Sequence, residues 1–302
     1  MIIPMSDPTV PSPRGRGDAL LGTGFVLVWC TGYIAGKAVV AHAAPLTSLV
    51  LRFGLAALLF GAMAAVARVR RCSRVELWQS AVTGVLMLAL HFGGVYVAFR
   101  MGANAGVSAL VIGAMPLLVA LVATLDGSER LGLWRWLGMA LGLLGVALVV
   151  ADRVDGATPL PAWGMLLLGL VGITAGTLYQ KRHAAQLDMR LALAVQNAAA
   201  TLVLLPFALG EGLHLDNTLA FYLPLGWLVL VNSIGGFALL FLLIRRGAAT
   251  QVAALFFLMP PVTAVFGHFT LGEHLTWLKG AGFACAAFGV WLATRPQAGR
   301  GH

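Results

Sequence analysis

The chain has 302 residues, 60% of them hydrophobic and 10% charged, where soluble domains run to about 25% charged. With a mean hydropathy of +0.90, it has room for about ten membrane spans with short loops, and none for a sizeable soluble domain. The net charge of +9 falls in alternate loops, which argues against a nucleic-acid partner, and the three cysteines form neither a C-x-x-C pair nor a metal spacing.

Residues 1–18, rich in Pro, Ser and Arg, read as a disordered tail. Helix 1 is expected near 19–39, too long for a signal-peptide core and therefore retained. Further spans are expected near 47–67, 77–99, 103–125, 134–151, 162–181, 190–209, 220–243, 249–270 and 276–294, with a short tail at 295–302. Of the 20 Lys and Arg, fifteen fall on the side of the N-terminus and four at span ends on the other side; Arg52 alone lies clearly within a span. That distribution places both termini in the cytoplasm. Helix 5 carries Gly138-x-x-x-Gly142 and helix 10 carries Gly282-x-x-x-Ala286. Such surfaces serve either a homodimer through helices 5 and 10 or packing inside one half of the chain.

The chain states its pattern twice. Arg100, Gly102, Ala103 and Pro116 recur 145 positions later as Arg245, Gly247, Ala248 and Pro261. Glu129, Leu131, Gly138, Gly145 and Val146 recur 144 positions later as Glu273, Leu275, Gly282, Gly289 and Val290, and Lys37 finds Lys181. A duplicated unit with an odd number of spans sits in the bilayer in two opposite orientations, the inverted repeat of secondary transporters.

Several ordered patterns carry a family resemblance. They are Trp29-Cys30-Thr31-Gly32-Tyr33 up to Lys37, then Leu49-Val50-Leu51-Arg52-Phe53, then Met115-Pro116-Leu117 with Glu129-Arg130-Leu131. The last pair returns as Met259-Pro260-Pro261 with Glu273-His274-Leu275. The set resembles the EamA-type branch of the drug/metabolite transporter superfamily. The resemblance implies an all-α polytopic protein of a bacterial-type inner membrane. It would have ten transmembrane helices as two inverted five-helix repeats, 19–151 and 162–294, around a central cavity. It also implies transport of small metabolites, amino-acid-like solutes above all, with export the family's leaning. Gln196 stands where the repeat expects the partner of Arg52, so the two halves differ chemically there.

A charge within a span costs about 2.5–3.5 kcal/mol on insertion scales and needs a reason. Arg52 either grips a substrate carboxylate or phosphate with its planar fork, or ties helix ends and snorkels outward. The candidate cavity is completed by Trp29, Tyr33, His91, Tyr96, Tyr179 and Asn232, polar or aromatic residues within spans. Each has a plain alternative as a helix–helix hydrogen bond. Pro116, Pro260 and Pro261 fall mid-helix in both repeats, where each removes a donor and frees a carbonyl, so they are expected to shape the cavity. Lys37 and Lys181 read as interfacial anchors, with Lys37 also placed to steer an anion. No Asp or Glu lies inside an expected span, so any proton coupling would run through His91, His268 or the substrate. Glu129 and Glu273 read as first-turn residues of helices 5 and 10, structural in role.

Two other function classes fit the sequence less well. A membrane-embedded enzyme acting on a lipid-linked substrate needs paired carboxylates, a metal set or an activated nucleophile at a span end, and the sequence offers none. A receptor or scaffold would bring a soluble domain or long loops. Neither a cofactor nor a metal is expected; the partners are a small-molecule substrate and the lipid bilayer.

Overall fold

Backbone surrounded by lipid must satisfy every N–H and C=O internally, and apolar runs of this length do so as helices. The structure is a computed structural model that describes residues 16–69, 72–125, 132–151, 158–183, 187–236, 238–239, 242–243 and 259–293. Among these the chain is helical, and the one extended pairing is an isolated antiparallel bridge of Ala43 with Leu215.

Helix α1 (Arg16–His42) is followed by α2 (Pro45–Val66), whose Pro45 opens it where a missing N–H costs nothing. A capping box starts α3 (Arg74–Gly84): Glu76 N–H donates to Ser73 Oγ at 3.2 Å, and Ser73 N–H donates to the Glu76 carboxylate at 2.7 Å. The helix runs on through a π-helical stretch, π1 (Val85–Leu90), into α4 (His91–Arg100). Next come α5 (Ala105–Gly113), α6 (Met115–Leu125), α7 (Leu133–Ala151), α8 (Leu160–His183) and α9 (Met189–Gly210). A second π-helical stretch, π2 (Trp227–Gly236), extends α10 (Leu219–Gly226), before α11 (Met259–Leu271) and α12 (Trp277–Ala293).

Among the described residues, 6 helices are long and apolar enough to cross a membrane: Leu20–His42, Pro45–Val66, Arg74–Arg100, Leu160–His183, Met189–Gly210 and Leu219–Gly236. Their polarity is inverted relative to a soluble protein. Arg52, His91, Gln196, Asn197 and Asn232 are buried while Leu58, Leu143, Phe269 and Trp277 are exposed. Such an exterior is solvated by lipid, and the chain is an integral membrane protein.

Two expectations change in detail. Helix begins at Arg16, inside the expected tail. The expected fourth span is broken at Ala114, and Pro116 takes the second position of α6, where its lack of a donor is harmless. Residues 249–258 of the expected ninth span lie outside the described residues, so only Pro260 and Pro261, at the described start of α11, can be placed.

Glycine decides which helices touch. A Cβ on Gly94 would strike the Met165 carbonyl and lie 2.8 Å from Gly169 N, so α4 and α8 cross in backbone contact. The small residues of α7 and α12 likewise face each other. A Cβ on Gly145 would lie 2.5 Å from Ala286 N, and one on Gly289 would lie 2.6 Å from Gly138 O. The stripe expected to serve a dimer or one half is thus filled by a helix of the opposite half.

Candidate functional site

Arg52 stands about two turns into α2, where it is 7% exposed. Its Nη1 donates to the Tyr96 hydroxyl at 3.0 Å. The guanidinium lies 4.6 Å from the Phe92 ring centroid and 5.6 Å from that of Phe53, a cation–π arrangement worth up to about 2 kcal/mol when desolvated. Its Nε has no hydrogen-bond partner. Among the described residues no carboxylate pairs with it. The cation is therefore held by neutral groups only, with a donor to spare.

The Tyr96 hydroxyl reaches Arg52 because α1 has a glycine opposite it: a Cβ on Gly36 would sit 3.0 Å from that oxygen. One turn earlier on the same face of α1, a Cβ on Gly32 would sit 2.8 Å from Asn232 Nδ2. Asn232, in π2, donates to the Val28 carbonyl at 2.7 Å and leaves its Oδ1 buried without a partner. Trp227 Nε1 donates to Thr31 Oγ1 at 2.9 Å beside it. The Tyr96 hydroxyl and the Asn232 amide, one from each half of the chain, thus meet α1 about one helical turn apart. The first holds Arg52 with its spare donor, and the second has a spare acceptor.

The other expected cavity residues divide. His91 Nδ1 lies 3.1 Å from the Gly169 carbonyl, a bond between α4 and α8 that serves their crossing. Its ring also packs on Phe92 at 4.5 Å, one residue from the Arg52 cluster. Tyr33 packs against the main core. Trp29 packs on Phe25, centroids 5.4 Å apart, in a smaller cluster with Met259. Tyr179 stacks on His183 at 4.6 Å near the end of α8 and joins neither group. The break after Gly113 meets the described start of α11: a Cβ on Gly113 would lie 3.3 Å from the Pro260 ring. No group of three or more His, Cys, Asp or Glu able to hold a metal occurs among the described residues.

Sequence reasoning missed the role of Glu273. It was expected in the first turn of the last helix, but α12 starts only at Trp277. Glu273 follows Gly272, whose φ of +66 turns the chain, and its side chain is 8% exposed. One carboxylate oxygen accepts from Lys37 Nζ at 2.6 Å and from Ala105 N at 2.7 Å. The helix it caps is α5, in the other half of the sequence. Lys37 and Glu273 carry opposite charges on one expected membrane face, the one signal that could have paired them.

Comparison with known proteins agrees with this architecture. The model of the EamA-like transporter family matches twice, over residues 18–151 and 162–295. "Uncharacterized inner membrane transporter YedA" of Escherichia coli K12 is 27% identical over 91% of this chain and 90% of its own. A "Probable amino-acid metabolite efflux pump" of Salmonella typhimurium is 27% identical over 92% of this chain and 94% of its own. A solved crystal structure matches with a TM-score of 0.62, covering 93% of this chain and 97% of its own, at 18% identity that shows the fold alone. The chain belongs to the EamA-like transporter family and is a membrane transporter, not an enzyme.

Proposed function

We propose that the protein is a secondary transporter of small organic metabolites, amino-acid-like solutes first among them, in a bacterial-type inner membrane. It works by alternating access between two inverted five-helix repeats, with both termini cytoplasmic and export as the working direction. The long spans support the repeat by falling three in each family-matched unit. The π-helical stretches support it too, since π1 moved by the 144-residue offset falls within π2, and π segments mark functional sites. The meeting of Gly113 with Pro260 supports prolines that shape the cavity. A homodimer would have to use faces other than the small residues that α7 and α12 turn on each other.

The observation that carries the cargo class is Arg52, a buried guanidinium with an unused Nε and no acidic partner among the described residues. A carboxylate supplies the missing charge in a geometry the fork suits. The orphan Asn232 Oδ1 offers an ammonium group its acceptor. An α-amino acid has both poles a few bonds apart. Trp29, Tyr33, His91 and Tyr96 then flank the cargo, and Tyr179 lies further along its path.

The test is counterflow of a labelled amino-acid mixture in liposomes containing the purified protein, with and without a pH gradient. Saturable uptake is expected, and the gradient decides coupling. Uptake no greater than in empty liposomes, from protein shown to be folded, removes amino acids as cargo.

A further inference from the structure

We propose that Lys37, Glu273 and the N-terminus of α5 form a latch that closes one end of the transport path and must open on each cycle. The inference rests on the transport reading above but on different residues. Glu273 comes from the second family-matched unit, while Lys37, Asn104 and Ala105 come from the first. Lys37 Nζ donates to the Glu273 carboxylate at 2.6 Å and lies 3.4 Å from Asn104 Oδ1. The same carboxylate accepts from the backbone at Ala105, 2.7 Å, and at Gly106, 3.5 Å. It therefore satisfies two of the free N–H groups that open α5 and meets the positive end of that helix. A Cβ at Gly267 would lie 2.5 Å from a Glu273 carboxylate oxygen, so α11 has made room for it.

A second strap closes the same end of α1. Ala44 N donates to the His214 carbonyl at 2.8 Å, Asp216 N donates to the His42 carbonyl at 2.7 Å, and Glu211 accepts from Leu46 N at 3.0 Å. Here too one partner comes from each unit. Two of these three are backbone-to-backbone bonds, which brace an interface. The latch differs in resting on long side chains and a paired charge. Such contacts can part without unwinding a helix and re-form, with water solvating both ions meanwhile. Alternating access needs an end of the path that is shut by contacts of this sort and opened without unfolding a helix.

Two native cysteines report on the latch without knowledge of the cargo. Cys30 lies seven residues before Lys37 on the same face of α1, and its thiol faces the Met259 carbonyl of α11 at 3.5 Å. Opening the α1–α11 seam at Lys37 uncovers it. Cys285 faces the Leu141 carbonyl at 3.4 Å, in the α7–α12 seam, and reports general loosening.

The experiment follows alkylation of both thiols by a membrane-impermeant maleimide, in a Cys72→Ser background. It compares the parent with Glu273→Gln and Lys37→Met. The latch predicts Cys30 alkylation faster by about tenfold, as loss of a charge-assisted bond implies, with the Cys285 rate unchanged. Equal Cys30 rates, or equal acceleration at both thiols, overturn it. In a second arm Lys37→Cys/Glu273→Cys, with the native cysteines replaced, is bridged by a short bis-methanethiosulfonate and later released with reductant. Labelled amino-acid counterflow should stop when bridged and return on release. Transport that persists in the bridged protein makes the contact a static brace. If the parent moves no amino acid, the cargo reading fails, while the alkylation rates still decide the latch.

Discussion

Replacing Arg52 with Gln separates a binding role from a structural one, because the two roles predict opposite balances of stability and transport. In the folded protein the guanidinium gains one charge-assisted bond to Tyr96, about 1.5–3 kcal/mol, and a cation–π contact with Phe92 of up to about 2 kcal/mol. Against this stands about 2.5–3.5 kcal/mol for placing a charge within the bilayer. The terms nearly cancel, so Arg52→Gln should melt within a few degrees of the parent in detergent. Transport should fall far more. Losing a charge-assisted bond to a cargo carboxylate, about 1.5–3 kcal/mol, raises KM by about 10- to 150-fold. Arg52→Lys should not rescue it, since an ammonium lacks the fork and stacks poorly on Phe92. The assay is counterflow at several amino-acid concentrations beside a thermal melt. A strongly lowered melt, with transport reduced only in proportion to the folded protein left, would show that Arg52 merely ties α2 to α4.

Asn232→Leu keeps volume but removes the spare acceptor, so it should weaken uptake of an amino acid several-fold. A matching carboxylate without the amine should be unaffected; equal losses for both in paired counterflow assays would remove Asn232 from recognition. Gly94→Ala puts a methyl between two backbones and should cost about 1–3 kcal/mol or more, read as a lower melting temperature. Gly61→Ala, where a Cβ meets nothing within 4 Å, should be neutral or stabilise by about 0.5–1 kcal/mol. Asp188 accepts from Arg190 N at 3.0 Å and pairs with its guanidinium, and that side-chain bond holds its carboxyl below the ordinary 3.8. A depressed carboxylate stabilises at pH values above its unfolded pKa. The stability gap between parent and Asp188→Ala should therefore be flat near neutrality and close as pH falls below about 4; a gap that widens on acidification contradicts the pairing.

What the sequence disclosed and what it hid follow from how each contact is encoded. Span positions were legible because an apolar run long enough for the bilayer leaves the backbone few alternatives to a helix, and α2, α8 and α9 fall within a few residues of expectation. The break at Ala114 was legible as a proline effect, though its form was not. The π-helical stretches were invisible: Val85–Leu90 reads as ordinary apolar helix, and the extra residue per turn answers to packing.

Arg52 was conspicuous from its type alone, since a membrane interior penalises a cation wherever it lies. Its partners were not, because the pairing with Tyr96 spans 44 residues and depends on Gly36 of a third helix leaving space. The Lys37–Glu273 pair was hidden for a related reason. Matching the repeat placed Glu273 on the first turn of a helix, where capping explains a carboxylate without further partners. Gly272 at positive φ instead delays α12 to Trp277 and releases the side chain toward α5. The repeat thus predicts where equivalent residues stand, and the departures from it carry the chemistry. Only one half has an arginine at this site, with Gln196 at the equivalent position of the other, so in the cycle proposed above a carboxylate that meets Arg52 would be held on one side of the repeat axis. The inverted repeat would then supply two like ways of opening, and an arginine in one half alone would give both the same cargo orientation.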